Sequence, residues 1–180
     1  MSQIVIVSGP PGSGKSSVCE ALCERYDRTV HIETDDFFAA IRMGRINPMD
    51  PASGAQNRMV SRAAARAATA YAERRYGVFI DGVIGPHLLP IYVEELRSAG
   101  VPVQFVLLLP SLEKTMRRVE SRESTRRMHE TLRGELHRQF VANGAVAGWT
   151  LDNSQLTTEQ AADAVMEACG RGDALVWSPA

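Results

Sequence analysis

Gly9-Pro10-Pro11-Gly12-Ser13-Gly14-Lys15-Ser16 is the stretch on which the reading of this chain turns. It has the spacing G-x-x-x-x-G-K-[ST]. Glycines at these positions let the backbone wrap a phosphate with successive N–H groups pointing inward. A helix opening at Lys15 adds its positive N-terminal end. The Lys15 ammonium can then reach the β- and γ-phosphates of a nucleotide, and the Ser16 hydroxyl can ligate Mg²⁺. Average residue usage produces such a string in under about 1% of chains of this length. Its context agrees, because the β-rich apolar run Gln3–Ser8 precedes it and the amphipathic run Lys15–Tyr26 follows it. The expected nucleotide contacts are therefore Gly9, Pro10, Pro11, Gly12, Ser13, Gly14, Lys15, Ser16 and Ser17. A dinucleotide-binding G-x-G-x-x-G string is absent.

Outward from this loop, strand and helix signals alternate. Short apolar runs at Gln3–Ser8, Thr29–Glu33, Val78–Ile80, Val103–Leu109 and Val146–Leu151 predict five strands. Helices are predicted at Lys15–Tyr26, Asp35–Met43, Ala55–Arg75, Leu88–Ser98, Leu112–Phe140 and Thr157–Cys169, the fifth bent around Glu123–Arg127. Arg45–Ser53, with Pro48 and Pro51, reads as loop, and Arg171–Ala180 carries no clear signal. In the Ala-rich helix, Met59, Ala63, Ala67 and Tyr71 are the expected buried face. The alternation predicts an α/β protein with three layers, a parallel sheet between two sets of helices. Ligands of such sheets sit beyond the carboxyl ends of the strands, so the residues after each strand are the candidates for chemistry.

Within the second strand stands His31, and after it Asp35 and Asp36. Two adjacent acids beside a phosphate loop can divide two tasks, one favouring the helix N-terminus and one accepting a proton from a substrate hydroxyl. Asp35, nearer the strand end, is the expected base; His31 is expected to be a strand or surface residue rather than a ligand. After the third strand comes Asp81-Gly82, an acid ending an apolar run, which suits a Mg²⁺ or substrate role beside Ser16. Phe38, Arg42 and Arg58 are candidates, with Asp35, Asp36 and Asp81, for lining an acceptor pocket. Arg118, Arg122 and Arg126 recur every four residues and could clamp phosphate from a lid at roughly 118–138, Arg122 first among them. Arg58, Arg62 and Arg66 form a second stripe that reads as a solvated face.

Composition bounds the alternatives. The chain has 180 residues and a net charge of −1, so no basic field points to nucleic acid or to a membrane surface. No run is long and apolar enough for a membrane span or a secretory leader. Three cysteines, Cys19, Cys23 and Cys169, fit no disulfide framework and favour a reducing compartment, so a cytoplasmic location is expected. Cys19 and Cys23 read as core thiols, and Trp149 and Trp177 form no stacking platform.

The phosphate loop, His31-x-x-Thr-Asp35-Asp36-Phe-Phe, Gly44-Arg45-Ile46-x-Pro48, Gln56-Asn57-Arg58 and Ile80-Asp81-Gly82-Val83 together resemble the small P-loop kinase-like proteins described as AAA-type ATP-binding proteins. That group is similar to chloramphenicol phosphotransferase and, more distantly, to gluconate, shikimate and nucleoside-monophosphate kinases. The resemblance spans nearly the whole chain, read as one P-loop kinase-like domain over 1–180. It implies a parallel sheet of five strands in order 2-3-1-4-5, an arginine-bearing lid in which Arg122 corresponds to the lid arginine, and Asp35 as the base. It also implies that residues around Asp152–Thr157 lie near adenine. The D-G-[FY]-P-R string of nucleoside-monophosphate kinases is absent, since Val83-Ile84 follow Asp81-Gly82. The expected activity is transfer of the γ-phosphate of ATP, with Mg²⁺, to a hydroxyl of a small molecule by a monomer or homodimer. The alternatives are a zeta-toxin-like kinase acting on a nucleotide sugar, and a nucleotide-dependent switch without a small acceptor.

Overall fold

A computed structural model describes residues 3–120, 130–143 and 148–179. Strand β1 (Ile4–Ser8) is buried along its whole length, which a run of branched apolar residues tolerates only when both faces are covered. It pairs in parallel with β3 (Gly77–Gly82) on one side and β4 (Val103–Leu108) on the other. β2 (Thr29–Glu33) lies outside β3, and β5 (Trp149–Leu151) outside β4, again in parallel. The order is therefore β2-β3-β1-β4-β5.

Side-chain alternation divides the interior into two cores. Val5, Val7, Phe79, Val106 and Leu108 face α1 (Lys15–Cys23) and, further along the chain, α7 (Thr158–Arg171). Ile4, Ile6, Ile32, Val78, Ile80, Phe105 and Leu107 face α3 (Gly54–Ala72) and α4 (Leu89–Leu96). The shorter α2 (Thr34–Ala39), then α5 (Leu112–Glu120) and α6 (Glu130–Asn143), complete the helices among the described residues. Helix α7 begins with a reciprocal cap, in which Gln160 N–H donates to Thr157 Oγ1 and Thr157 N–H donates to Gln160 Oε1.

Three expectations change. A sixth strand, β6 (Leu175–Trp177), runs antiparallel to β4 at Val103 and Gln104. β5 covers only Val106–Leu108, so the tail fills the edge it leaves open. Second, the buried face of α3 is Val60, Ala64, Ala65, Ala68 and Ala72, while Met59 is 54% and Tyr71 45% exposed. With alanine on nearly every side of this helix, periodicity chooses no face. The small face turns inward and lets the helix approach the sheet closely. Third, α2 begins at Thr34 and ends at Ala39, four residues short of the expected Met43. The expected lid, 118–138, runs from the end of α5 across residues 121–129 and into α6; Arg122, Arg126 and the bend around Glu123–Arg127 lie outside the described residues.

Candidate nucleotide and acceptor site

The loop between β1 and α1 is shaped by its glycines. Gly14 caps α1 in the left-handed region, with φ 95°, and no side chain caps the helix. The first-turn amides are thus turned toward the space beyond the strand ends, which is the arrangement an anion needs. Gly9 has φ 152°, and a Cβ there would overlap the Leu108 carbonyl oxygen and stand 2.6 Å from Ser13 Oγ. The loop is therefore pressed against the carboxyl end of β4. It is tied down from the far side of the sheet as well, because the buried Asn153, just after β5, donates from Nδ2 to the Ser13 carbonyl at 2.9 Å. The Lys15 ammonium folds back over the loop and donates to the Pro10 carbonyl at 3.2 Å.

Asp81, in the next-to-last position of β3, is 5% exposed. Burial alone would push its pKa up. A hydrogen bond from His31, the positive charge of Lys15 and a hydrogen bond from the Ser16 hydroxyl outweigh that, and the carboxyl is held below the ordinary range. Ser16 and Asp81, both hard oxygen donors, thus meet at the carboxyl end of the sheet beside Lys15. That donor set suits Mg²⁺.

Sequence reasoning passed over His31. Its Nε2 lies 2.9 Å from Asp81 Oδ2. In the parallel register Glu33 stands opposite Asp81 and His31 opposite Phe79. His31 is thus the diagonal neighbour of Asp81 on the face covered by α1. Burial draws its pKa down, but the bond to Asp81 and the charges of Asp81, Glu33 and Glu20 outweigh it, so the imidazole is more basic than usual. The sequence shows only that 31 and 33 share a face in a strand; that this face meets Asp81 follows from the register of β2 against β3.

Glu33 is the N-cap of α2 without a side-chain cap bond, and Asp35 and Asp36 follow in the first turn, both exposed. Burial and the charge of Asp81 raise the Glu33 pKa, with further contributions from Asp36 and Asp35. These four acids therefore share one electrostatic neighbourhood at the ends of β2 and β3. Close packing supports it: a Cβ on Gly82 would overlap the Thr34 hydroxyl, and the buried Ser8 hydroxyl donates to the Ile84 carbonyl at 2.8 Å and accepts from Ile84 N–H at 3.0 Å.

Of the other acceptor candidates, Phe38 is half-buried in α2, while Arg42, just beyond it, and Arg58, in the first turns of α3, are exposed. The loop between α2 and α3 is held by side-chain amides. Gln56 accepts from Ile46 N–H and donates to the Ile46 carbonyl, both at 2.8 Å. Asn57 Nδ2 donates to the Pro48 carbonyl at 2.8 Å and to Ser53 Oγ at 2.9 Å. Farther along the stripe, Arg62 and Arg66 pair with Glu95 of α4 at 3.3 and 2.9 Å. Arg118 belongs to α5.

Comparison with solved structures finds the same fold repeatedly. The Deinococcus radiodurans tunicamycin resistance protein superposes with a TM-score of 0.70 at 19% identity, over 100% of both chains. A sugar kinase from Janibacter sp. HTCC2649 superposes with a TM-score of 0.71 at 19% identity, covering 94% of this chain and 95% of its own. Shikimate kinase from Acinetobacter baumannii, in complex with shikimate, gives 0.64 at 20% identity, covering 96% and 94%. No curated protein sequence matches. At these identities the likeness is one of fold, the P-loop kinase fold. A family model described as an AAA domain matches residues 4–143, and the chain belongs to that family.

Proposed function

We propose that this protein is an ATP-dependent phosphotransferase that moves the γ-phosphate to a hydroxyl of a small molecule, such as an antibiotic or a sugar acid. The observation that carries the reading is the meeting of Ser16, Asp81 and Lys15 at the mouth of an uncapped helix, with the exposed Asp35 opening α2 beside them. The loop backbone from Gly9 to Ser17 cradles the phosphates, its donors being the N–H groups of all but the two prolines, and Lys15 balances charge on the β- and γ-groups. Mg²⁺, held by Ser16 and Asp81, would draw negative charge from the phosphate oxygens when bound. Asp35 orients the acceptor hydroxyl and takes its proton as the oxygen attacks the γ-phosphorus. The bond to the bridging oxygen breaks, and ADP leaves with the electron pair. Asp36, Phe38, Arg42 and Arg58 border the acceptor, and Arg118, Arg122 and Arg126 bear on the phosphates from a lid over roughly 118–138. The reaction needs no nucleic acid or membrane and suits a cytoplasmic enzyme.

The test is a γ-phosphate transfer screen against antibiotics, sugar acids, nucleosides and nucleotide sugars. With an acceptor in hand, Asp35→Asn is expected to lower kcat by about 10²–10⁴-fold while ATP affinity stays within about twofold. Lys15→Ala is expected to weaken ATP binding and abolish transfer. An Asn variant with full turnover refutes Asp35 as the base. Acceptor-independent hydrolysis across the whole screen, with a partner captured only in the ATP state, would instead favour a nucleotide switch.

A further inference from the structure

We propose that Cys19, His31 and Asp81 form a binding site for a thiophilic divalent metal of the Zn²⁺ class. Among the described residues, the Cys19 sulfur, a His31 ring nitrogen and an Asp81 carboxylate oxygen all lie within 4.8 Å of one another. Each comes from a different element packed into the same core. Cys19 is fully buried on α1, one turn beyond Ser16 and on the same face. His31 comes from β2 and Asp81 from β3, on the sheet face that α1 covers.

A cysteine inside a parallel α/β layer is ordinarily surrounded by apolar groups. Here it meets an imidazole and a carboxylate that already touch at 2.9 Å. One sulfur, one nitrogen and one oxygen make a poor Mg²⁺ site, because Mg²⁺ demands oxygen in octahedral geometry. They make a good zinc site, with bonds of about 2.0–2.3 Å to such donors in a tetrahedron. That geometry sets ligand atoms about 3.4–3.7 Å apart. The His31–Asp81 edge opens by less than an ångström, and an edge at the 4.8 Å limit closes by about 1.1–1.4 Å. Three protein donors leave the fourth position for water. On binding, the Cys19 S–H bond gives way to S–metal with release of its proton, and the imidazole coordinates in neutral form through Nε2.

The functional consequence rests on the phosphotransferase reading; the binding does not. Asp81 engaged by a thiophilic ion is withdrawn from Ser16, so zinc would inhibit transfer and excess Mg²⁺ would relieve the inhibition.

The experiment is a Co²⁺ titration of the whole, fully reduced chain. One equivalent is expected to produce a thiolate-to-cobalt charge-transfer band in the near ultraviolet and tetrahedral visible bands, both displaced by Zn²⁺. Cys19→Ala should lose the charge-transfer band, His31→Gln should weaken Co²⁺ binding at least tenfold, and a Cys23→Ala/Cys169→Ala double variant should retain the wild-type spectrum. Absence of the band in the wild type, its survival in Cys19→Ala, or its loss in the double variant overturns the site. The wild-type and double-variant arms decide the matter even where Cys19→Ala fails to fold. Zinc that displaces the Co²⁺ bands yet leaves ATP turnover unchanged would leave the site standing and count against Asp81 as part of the transfer machinery.

Discussion

The Ser8 hydroxyl joins the end of β1 to the loop after β3 by two hydrogen bonds to one residue, and Ser8→Ala removes both at once. Ser8 is fully buried. Its Oγ donates to the Ile84 carbonyl at 2.8 Å and accepts from Ile84 N–H at 3.0 Å. Alanine leaves a buried donor and a buried acceptor without a partner, each costing about 1–3 kcal/mol, while the lost oxygen leaves too little space for a water to replace it. The expected destabilisation is about 2–6 kcal/mol, a large part of the roughly 5–15 kcal/mol that holds a domain together. With a urea m-value of about 2 kcal/mol/M, the unfolding midpoint should fall by about 1–3 M. Ser98→Ala is the control, because its hydroxyl donates to the Glu95 carbonyl at 3.0 Å in an exposed position; it should change stability by less than about 0.5 kcal/mol. Chemical denaturation followed by circular dichroism reads both. A Ser8→Ala midpoint within about 0.3 M of wild type, at unchanged m, would refute the claim that this pair of bonds fixes the loop.

Two further perturbations test the neighbouring parts. Gly9→Ala drives a methyl into the Leu108 carbonyl oxygen of β4, a backbone atom that cannot turn aside. It should destabilise the fold by at least about 2 kcal/mol and weaken binding of a fluorescent ATP analogue more than tenfold; an unchanged melting temperature would contradict it. Gln56→Ala removes two bonds to Ile46, so amide exchange at Ile46 should quicken at least tenfold, corresponding to about 1.4 kcal/mol or more of lost local protection. Exchange at the wild-type rate would show that the loop is held by something else.

How far the sequence foretells these features depends on the range of the interaction involved. Residues 9–16 are legible because the chemistry of wrapping a phosphate is local: the glycines, the lysine and the serine must be close in the chain to be close in space. The position of Asp81 is legible for a related reason, since an acid ending an apolar parallel strand falls at the carboxyl end of the sheet, where the loop also lies. His31 is not, because its meaning depends on the register between β2 and β3, and a slip of one residue would turn it to the other face. The inner face of α3 is illegible for another reason. Ala63, Ala64, Ala65, Ala67 and Ala68 are nearly equivalent in hydrophobicity, so close packing against the sheet decides, and packing is a tertiary fact. The tail strand Leu175–Trp177 is too short to show a period, and it pairs only because β5 leaves the lower part of β4 uncovered.

The same difference in range separates the two halves of the site. The phosphate side is overdetermined: Asn153 reaches the loop from beyond β5, Gly9 is wedged against β4, and Asp81 stands beside Ser16 and Lys15 at the end of β3. Four of the parallel strands thus contribute to one loop, counting β1, from which it emerges. A ligand that binds there has little backbone to order, so its interaction energy is not spent on conformational entropy. The side proposed for the acceptor is built differently. Asp35, Asp36, Arg42 and Arg58 are exposed, and the segment between α2 and α3 is held to α3 by Gln56 and Asn57 rather than anchored in the sheet. Substitutions on that side disturb no core strand and leave the cradle intact. Under the proposed function, acceptor choice can therefore change by loop substitution while the phosphate chemistry stays fixed, as expected where a rigid scaffold carries its variable contacts on loops.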